Sequence, residues 1–149
     1  MHTHTHANTN DNLRKLQSVQ NTAARLVYKV NSYDQISSEE LFKKLHWLRV
    51  RERIMYKILV VVHKCVYGNA PADLKNLVRF SQSNRTKKLE VRSCHGEMGK
   101  RAFSVCGPRL WNCLPTGLRM IEELEDFKRN SKTYLFTDGD RFYELVHMQ

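Results

Sequence analysis

Signatures of several common enzyme classes are missing from this 149-residue sequence. It has no glycine-rich phosphate-binding pattern, no HExxH metalloprotease pattern, and no adjacent aspartates of the kind that hold the two metal ions of a polymerase. No serine–histidine–aspartate or cysteine–histidine set stands out by its spacing. We therefore expect a non-enzymatic chain with no catalytic residue, no metal site and no cofactor.

Cysteines and long apolar runs are also scarce. The sequence has no CxxC pair, and Cys94, His95, Cys106 and Cys113 match the spacing of no common zinc site, which favours buried or spare reduced thiols. The longest apolar run, Ile58–Val62, is far shorter than the roughly 20 residues of a membrane span. The N-terminal residues are polar and do not resemble a secretory signal. We expect an intracellular chain, nuclear or cytoplasmic, with no membrane partner.

Positive charge is what the sequence has in excess, with 25 Lys and Arg against 15 Asp and Glu and a net charge of +10. The excess lies in residues 49–109, which hold fourteen basic and four acidic residues, whereas the segments before and after carry +2 and −2. Such a zone attracts polyanions because binding releases their counterions. The charge favours RNA or DNA as the partner, and the alternative is a solubilising surface.

Apolar spacing predicts a mainly α fold. Ser37 and Glu40 form a capping box, which predicts a helix start after Ser37. Gly68 is a plausible helix stop, and Pro71 is expected to open a further short helix. The strongest helical patterns cover Leu13–Val30, a short stretch ending at Leu45, Val50–Tyr67, and Ile121–Phe136.

The middle of the chain is harder to assign. Leu89–Cys94 and Arg101–Cys106 could each form a short strand or be merely extended. Gly107-Pro108 is expected to form a turn before a single helical turn at Arg109–Leu114. We predict one mainly α domain of about five helices over residues 11–136, with the option of one small β-hairpin between Leu89 and Cys106. Residues 1–10 are expected to be a disordered tail, and residues 137–149 a second tail.

Clustered cations are the candidate nucleic-acid contacts. Spacing places several on one arc of the helix predicted from Val50, and Ser81–Lys88 forms a basic loop that could close over a phosphate backbone. The alternative is a solvated surface whose long side chains cover the core. Trp47 and Trp111 each lie near leucines, which favours core anchoring over base stacking. The candidate cations are Lys43, Lys44, Arg49, Arg53, Lys57, Lys64, Arg85, Lys87 and Lys88.

Four segments taken together resemble one protein family. They include the sequence motifs LHWL, RAFSV and GPRLWNxLP, whose combination is specific to the family. In this order they resemble the C-terminal region of reverse transcriptases from non-LTR, LINE-type retrotransposons of the jockey-like kind. The resemblance covers nearly the whole chain, and its segments are Leu13–Val27, Leu45–Pro71, Gly99–Pro115 and Leu124–Phe136.

The resemblance implies a region downstream of the polymerase core, whose catalytic aspartates have no counterpart here. We expect a non-catalytic fragment of an RNA-directed DNA polymerase that binds template RNA or target DNA. The alternative is a docking module that packs on an upstream polymerase domain and has no activity of its own. Arg49 departs from the proline common at that place in the family. The positions that the resemblance marks for packing and turns include Trp47, Gly68, Pro71, Phe103, Pro108, Trp111 and Pro115.

Overall fold

The computed structural model describes residues 4–31, 33–82 and 84–148. Helices contain 68% of those residues, and no strand forms among them, so the predicted mainly α class is confirmed. A 3-10 turn lies at Asn84–Thr86. The α-helices are α1 (His4–Val27), α2 (Ser38–Leu45), α3 (Val50–Val66), α4 (Ala72–Lys75), α5 (Glu97–Arg101), α6 (Phe103–Cys113), α7 (Thr116–Arg119) and α8 (Leu124–His147).

By their internal contacts these elements form two compact units, Met1–Arg53 and Ile54–Gln149. The first unit has a small core around Ala24, Leu41 and Phe42, with four partly buried neighbours packed against it. Those neighbours are Val30, Ile36, Leu45 and Trp47.

The predicted start of α2 is confirmed. The Ser37 hydroxyl accepts a hydrogen bond from the Glu40 amide at 3.2 Å, which caps the first turn. The Glu40 carboxylate lies 3.3 Å from the Lys44 ammonium, one helical turn along. His46 then ends the helix in the left-handed conformation, with φ 52°.

Helix α1 differs from its prediction at both ends and in its orientation. It begins at His4, so the disordered tail expected over residues 1–10 is wrong from that residue onward. Part of its apolar stripe is exposed: Leu16 is 54% and Leu26 is 74% accessible. The helix packs instead through the neighbouring side, which carries the buried Ala24. On that side the Gln20 amide donates to the Leu48 carbonyl at 2.8 Å, and the Gln17 side chain accepts from the Val50 amide at 3.0 Å.

The core of the second unit is built from α3, α6 and α8. On α3 it includes Met55, Leu59 and Val62, which recur at helical spacing. Ile54, on the same helix, is 44% exposed. The buried apolar residues of α6 and α8 are Val105, Leu110, Trp111, Phe127, Leu135, Phe142 and Val146.

The last helix is predicted to end at Phe136, and a kink at Asp138 lies close to that end. A second helical segment follows the kink as far as His147, so the tail expected over residues 137–149 is wrong as far as that residue. Phe127 and Leu135 are buried as the spacing predicts. Phe142 and Val146 continue the same face beyond a non-helical residue, Asp138 (φ −121°, ψ 16°). The extension is stabilised by burial of that continued apolar face.

The β-hairpin that the sequence left as an option between Leu89 and Cys106 does not form among the described residues. Arg101 ends α5, and the residues from Phe103 onward lie in α6, which runs through Gly107-Pro108 without a break. Pro108 removes one helical hydrogen bond, but it is buried, and packing stabilises the helix around it. A Cβ on Gly107 would lie 3.0 Å from Val62 Cγ2, so close helix packing explains the glycine.

The remaining turn residues occupy the helix boundaries where the sequence placed them. Gly68 has φ +87° just after α3, which confirms the predicted stop. Pro71 immediately precedes α4, and Pro115 immediately precedes α7. Proline suits these positions because its fixed φ favours a helix start and it has no N–H to leave unbonded.

Candidate nucleic-acid interface

Residues 79–92, which we call the basic loop, join α4 to the segment before α5. This loop includes five basic residues and a single acid, Glu90. Lys87 is half-buried, and the other four cations are exposed. Those exposed cations are Arg79, Arg85, Lys88 and Arg92.

The two ends of the basic loop are held together by backbone pairing. Phe80 and Leu89 form an isolated antiparallel bridge. The Ser81 amide donates to the Lys88 carbonyl at 3.0 Å, and the Glu90 amide donates to the Arg79 carbonyl at 2.8 Å. The bridge closes the loop, so that its cations project from one short, defined segment.

Helix α6 anchors the basic loop through two neighbouring side chains. The Trp111 indole donates to the Lys87 carbonyl at 2.7 Å. The Asn112 side chain pairs with both backbone groups of Leu89, accepting from its amide at 2.8 Å and donating to its carbonyl at 2.7 Å. Asn112 therefore substitutes for a neighbouring β-strand, which satisfies a buried backbone segment. The tryptophan and asparagine of the GPRLWN segment have this anchoring role.

Arg119 is the third anchor, and no pattern in the sequence indicates it. Its side chain is only 3% exposed. Nε donates to the Thr86 carbonyl at 3.0 Å, and the two terminal nitrogens donate to groups around the end of α6. Burial lowers the pKa of Arg119 from its ordinary value, and the nearby Cys113 opposes that shift. The remaining acceptors are the carbonyls of Asn112 and Leu114 and the Thr116 hydroxyl.

Lys87 occupies an unusual position in the loop. Its φ of 52° lies in the left-handed region, where non-glycine residues are uncommon. The ammonium lies over two rings, 5.7 Å from the centroids of both Tyr67 and Phe80. This geometry suits cation–π attraction and places a positive charge beside a partly exposed aromatic ring.

The cations predicted to form a row on α3 differ in their exposure. Arg53 and Lys57 are exposed, whereas Lys64 is half-buried. Arg49 immediately precedes α3, and its carbonyl accepts the Arg53 amide at 2.9 Å. The Arg49 side chain pairs with the Glu39 carboxylate.

Two further candidates lie on α2 in the first unit. Lys43 is exposed. The Lys44 ammonium is 3.3 Å from Glu40 and lies 5.2 Å from the centroid of the Tyr28 ring. The hydrogen bond to Glu40, followed by the electrostatic effect of Tyr28, raises the pKa of Lys44. Such exposed pairs are weak, so a phosphate could compete for this cation.

The tryptophans have the packing roles that the sequence favours. Trp111 is fully buried, which confirms core anchoring at that position. Trp47 is half-buried against the first core and stacks with Phe42 at a centroid distance of 6.5 Å. Phe103 begins α6 and is also half-buried.

A buried histidine on α3 is a second feature that the sequence interpretation missed. His63 stacks on Phe127 with 4.3 Å between ring centroids, and it lies beside Trp111 and Tyr67. Its Nε2 donates to the Ile121 carbonyl at 2.8 Å, while Nδ1 has no hydrogen-bond partner in the part of the chain that the structure describes. His63 lies one helical turn after the core residue Leu59, and this spacing could have predicted its burial.

The thiols do not assemble into a metal centre among the described residues. No group of three or more histidine, cysteine, aspartate or glutamate side chains there is placed to hold an ion. Burial raises the pKa of the thiols of Cys65, Cys106 and Cys113. Nearby cations oppose the shift, including Arg109 beside both of the latter two. These thiols are therefore protonated at neutral pH.

Comparison with protein-family models, curated proteins and solved structures gave no match. Among the described helices, none has the length and apolar character required to cross a membrane. The functional interpretation therefore depends on the sequence segments and on the geometry around the basic loop.

Proposed function

We propose that this chain is a non-catalytic nucleic-acid-binding fragment of a retrotransposon RNA-directed DNA polymerase. The observation that carries the proposal is the basic loop, whose exposed cations are held on a hydrogen-bonded frame. A loop ordered before binding loses less conformational entropy when it meets a phosphate backbone. The expected contacts are with phosphates of RNA or DNA and are therefore independent of base sequence.

One of the segments that resemble the retrotransposon family also supports this proposal, because it contacts the basic loop. Trp111 and Asn112, in the GPRLWN segment, bond directly to the backbone of the basic loop. Gly107 permits the close approach between α6 and α3. The residues of this segment therefore have a structural role, which is to hold the backbone of the basic loop, and with it the cations, in place.

Neutralising two cations of the basic loop should weaken binding to all nucleic-acid sequences alike. We expect Arg85→Gln with Lys88→Gln to reduce affinity several-fold at low salt. The slope of log affinity against log salt should decrease by about 0.7 to 0.9 for each phosphate that the variant no longer neutralises. Fluorescence anisotropy with labelled RNA and duplex DNA, titrated with salt, measures both quantities.

The matched control is Arg129→Gln with Lys132→Gln, which removes two exposed charges from α8. Affinity and salt slope should stay close to those of the original chain. If the control variant loses as much nucleic-acid affinity, binding depends on net charge alone and the basic loop is not the site. Arg53→Gln with Lys57→Gln tests the exposed cations of α3 in the same assay.

The exposed stripe of α1 favours a second candidate function, docking on an apolar surface of a polymerase domain. Leu16, Val19, Leu26 and Val27 are each more than half exposed. Helical spacing places them on one side of α1, and contiguous apolar patches of this kind mark interaction surfaces. This function requires no nucleic-acid contact.

Docking predicts that the isolated chain self-associates and binds a dye for apolar surfaces. Leu16→Ser with Leu26→Ser should abolish both properties, because it places polar groups along the stripe. Light scattering after size exclusion and dye fluorescence give the readouts, and Leu77→Ser, outside α1, is the control. A monodisperse chain that binds no dye would rule this function out.

A further inference from the structure

An aromatic ring lies at the neck of the basic loop. Phe80 forms the backbone bridge with Leu89, yet its side chain remains 42% exposed. Leu89, its partner in the bridge, is almost fully buried at 3% exposure. The bridge thus fixes the backbone of Phe80 while its ring remains accessible to a ligand.

One cation lies over this ring, and two others flank it along the backbone. The Lys87 ammonium is 5.7 Å from the ring centroid, and Arg79 precedes Phe80 in sequence with an exposed side chain. Lys88 is bonded through its carbonyl to the Ser81 amide at 3.0 Å, so its backbone lies beside the residue that follows Phe80. A partly exposed aromatic ring beside cations is the combination by which proteins hold single-stranded nucleic acid.

We propose that Phe80 is a stacking platform for an unpaired base and that the basic loop prefers single-stranded RNA or DNA to a duplex. The inference depends on the proposed nucleic-acid function and specifies its substrate class. In a duplex the base faces are covered by their neighbours, so only an unpaired nucleotide can offer a face to the ring. The cations of the loop bind the adjoining phosphates.

The hydrogen-bonded frame contributes to this selectivity. Trp111 and Asn112 hold the backbone at Lys87 and Leu89, on the side of the bridge opposite Phe80. The ring and the charges are therefore positioned before a strand arrives. An ordered platform of this kind favours stacking because little further ordering of the protein is required.

Phe80→Leu tests the platform while retaining an apolar side chain at the bridge. Base–aromatic stacking is typically worth a factor of between about five and 150 in affinity. We expect a loss in that range for a labelled single strand and little change for a duplex of the same sequence. The salt slope should remain unchanged because no phosphate contact is removed. Phe80→Trp should restore single-strand affinity, and Leu77→Ala is the control for removing exposed apolar surface.

A fluorescent adenine analogue in the single strand gives a direct second readout. Stacking on Phe80 should change its emission on binding, and Phe80→Leu should remove that change. If Phe80→Leu weakens single-strand and duplex binding equally, or leaves both unchanged, the stacking inference is overturned while phosphate binding by the loop stands. If the original chain binds neither ligand at low salt, the proposed function fails as well.

Discussion

Replacing Arg119 by methionine should lower the free energy of unfolding by about 3 to 5 kcal/mol. The guanidinium donates to three backbone carbonyls and one hydroxyl and is 3% exposed. Methionine fills much of the volume but leaves these acceptors without that donor. The Leu114 carbonyl is buried and the other acceptors lie in part-buried bonds, and each buried group left unpaired costs about 1 to 3 kcal/mol. Removal of a desolvated cation offsets part of that cost. Urea unfolding followed by circular dichroism measures the change.

Arg129→Met is the matched control for this experiment. Arg129 is exposed and pairs with Asp126 within α8, so its replacement should change stability by less than about 0.5 kcal/mol. Arg119→Lys keeps the charge but cannot reproduce the planar fork, and it should give an intermediate loss. If Arg119→Met and Arg129→Met were equally mild, the bonds made by Arg119 would contribute nothing to stability.

Arg119 also connects stability to the candidate site. One of its bonds holds the Thr86 carbonyl, inside the basic loop. Loss of that bond should loosen the loop and weaken nucleic-acid binding in the Arg119→Met chain, even where it remains folded. The Arg129→Met chain should bind as the original does.

The stability of the protein should decrease as the pH falls below about 6.5, because His63 is buried in its neutral form. Burial lowers the pKa of His63 from the ordinary value of 6.5, and the Ile121 carbonyl and the charge of Glu123 only partly oppose this shift. Its Nε2 already donates to Ile121, so an added proton would go to Nδ1, which has no acceptor among the described residues. The charged form is therefore disfavoured in the folded state.

The direction of the pH effect follows from proton linkage. Above about pH 6.5 His63 is neutral in both the folded and the unfolded chain, and its contribution is constant. As the pH falls through that value, the unfolded chain takes up a proton that the folded chain does not. Stability then decreases by up to about 1.4 kcal/mol for each pH unit, until the lower pKa of the folded state is reached.

Denaturant unfolding at a series of pH values measures this effect. In the His63→Phe chain the ring stack is retained without a titrating group, so the decrease between about pH 6.5 and pH 5 should become much smaller. His63→Gln, which keeps an N–H donor for the Ile121 carbonyl, is a second non-titrating variant. The exposed His95→Gln control should retain the original pH dependence. A decrease that persists in both His63 variants would assign it to other groups.

Local patterns were sufficient for part of the candidate site. The sequence predicts the central part of the basic loop as the polar stretch Ser81–Lys88, and its positive charge can be read without knowledge of the packing. The anchors were not visible, because Asn112 and Arg119 bond to residues more than twenty positions earlier in the chain. Nothing in composition or spacing reports such pairings. Phe80 was missed because its bridge to Leu89, nine positions along, is isolated and has no strand pattern on either side.

The sequence alone determined the elements whose signals are local. The span of α3, the Ser37 cap of α2 and the stop at Gly68 were all predicted, because helix periodicity, capping and left-handed turns depend on residues within a few positions of one another. The buried face of α8 at Phe127 and Leu135 belongs to the same group.

Tertiary packing decided the features that local signals left open or indicated wrongly. Gly107-Pro108 locally indicates a break, yet α6 continues through it because Gly107 packs closely against Val62. Much of the apolar stripe of α1 is exposed because the helix packs through the neighbouring side, where Ala24 is buried and Gln17 and Gln20 bond to the backbone of Val50 and Leu48. In both cases specific long-range contacts outweigh local propensities, which amount to about 1 kcal/mol or less for most residues.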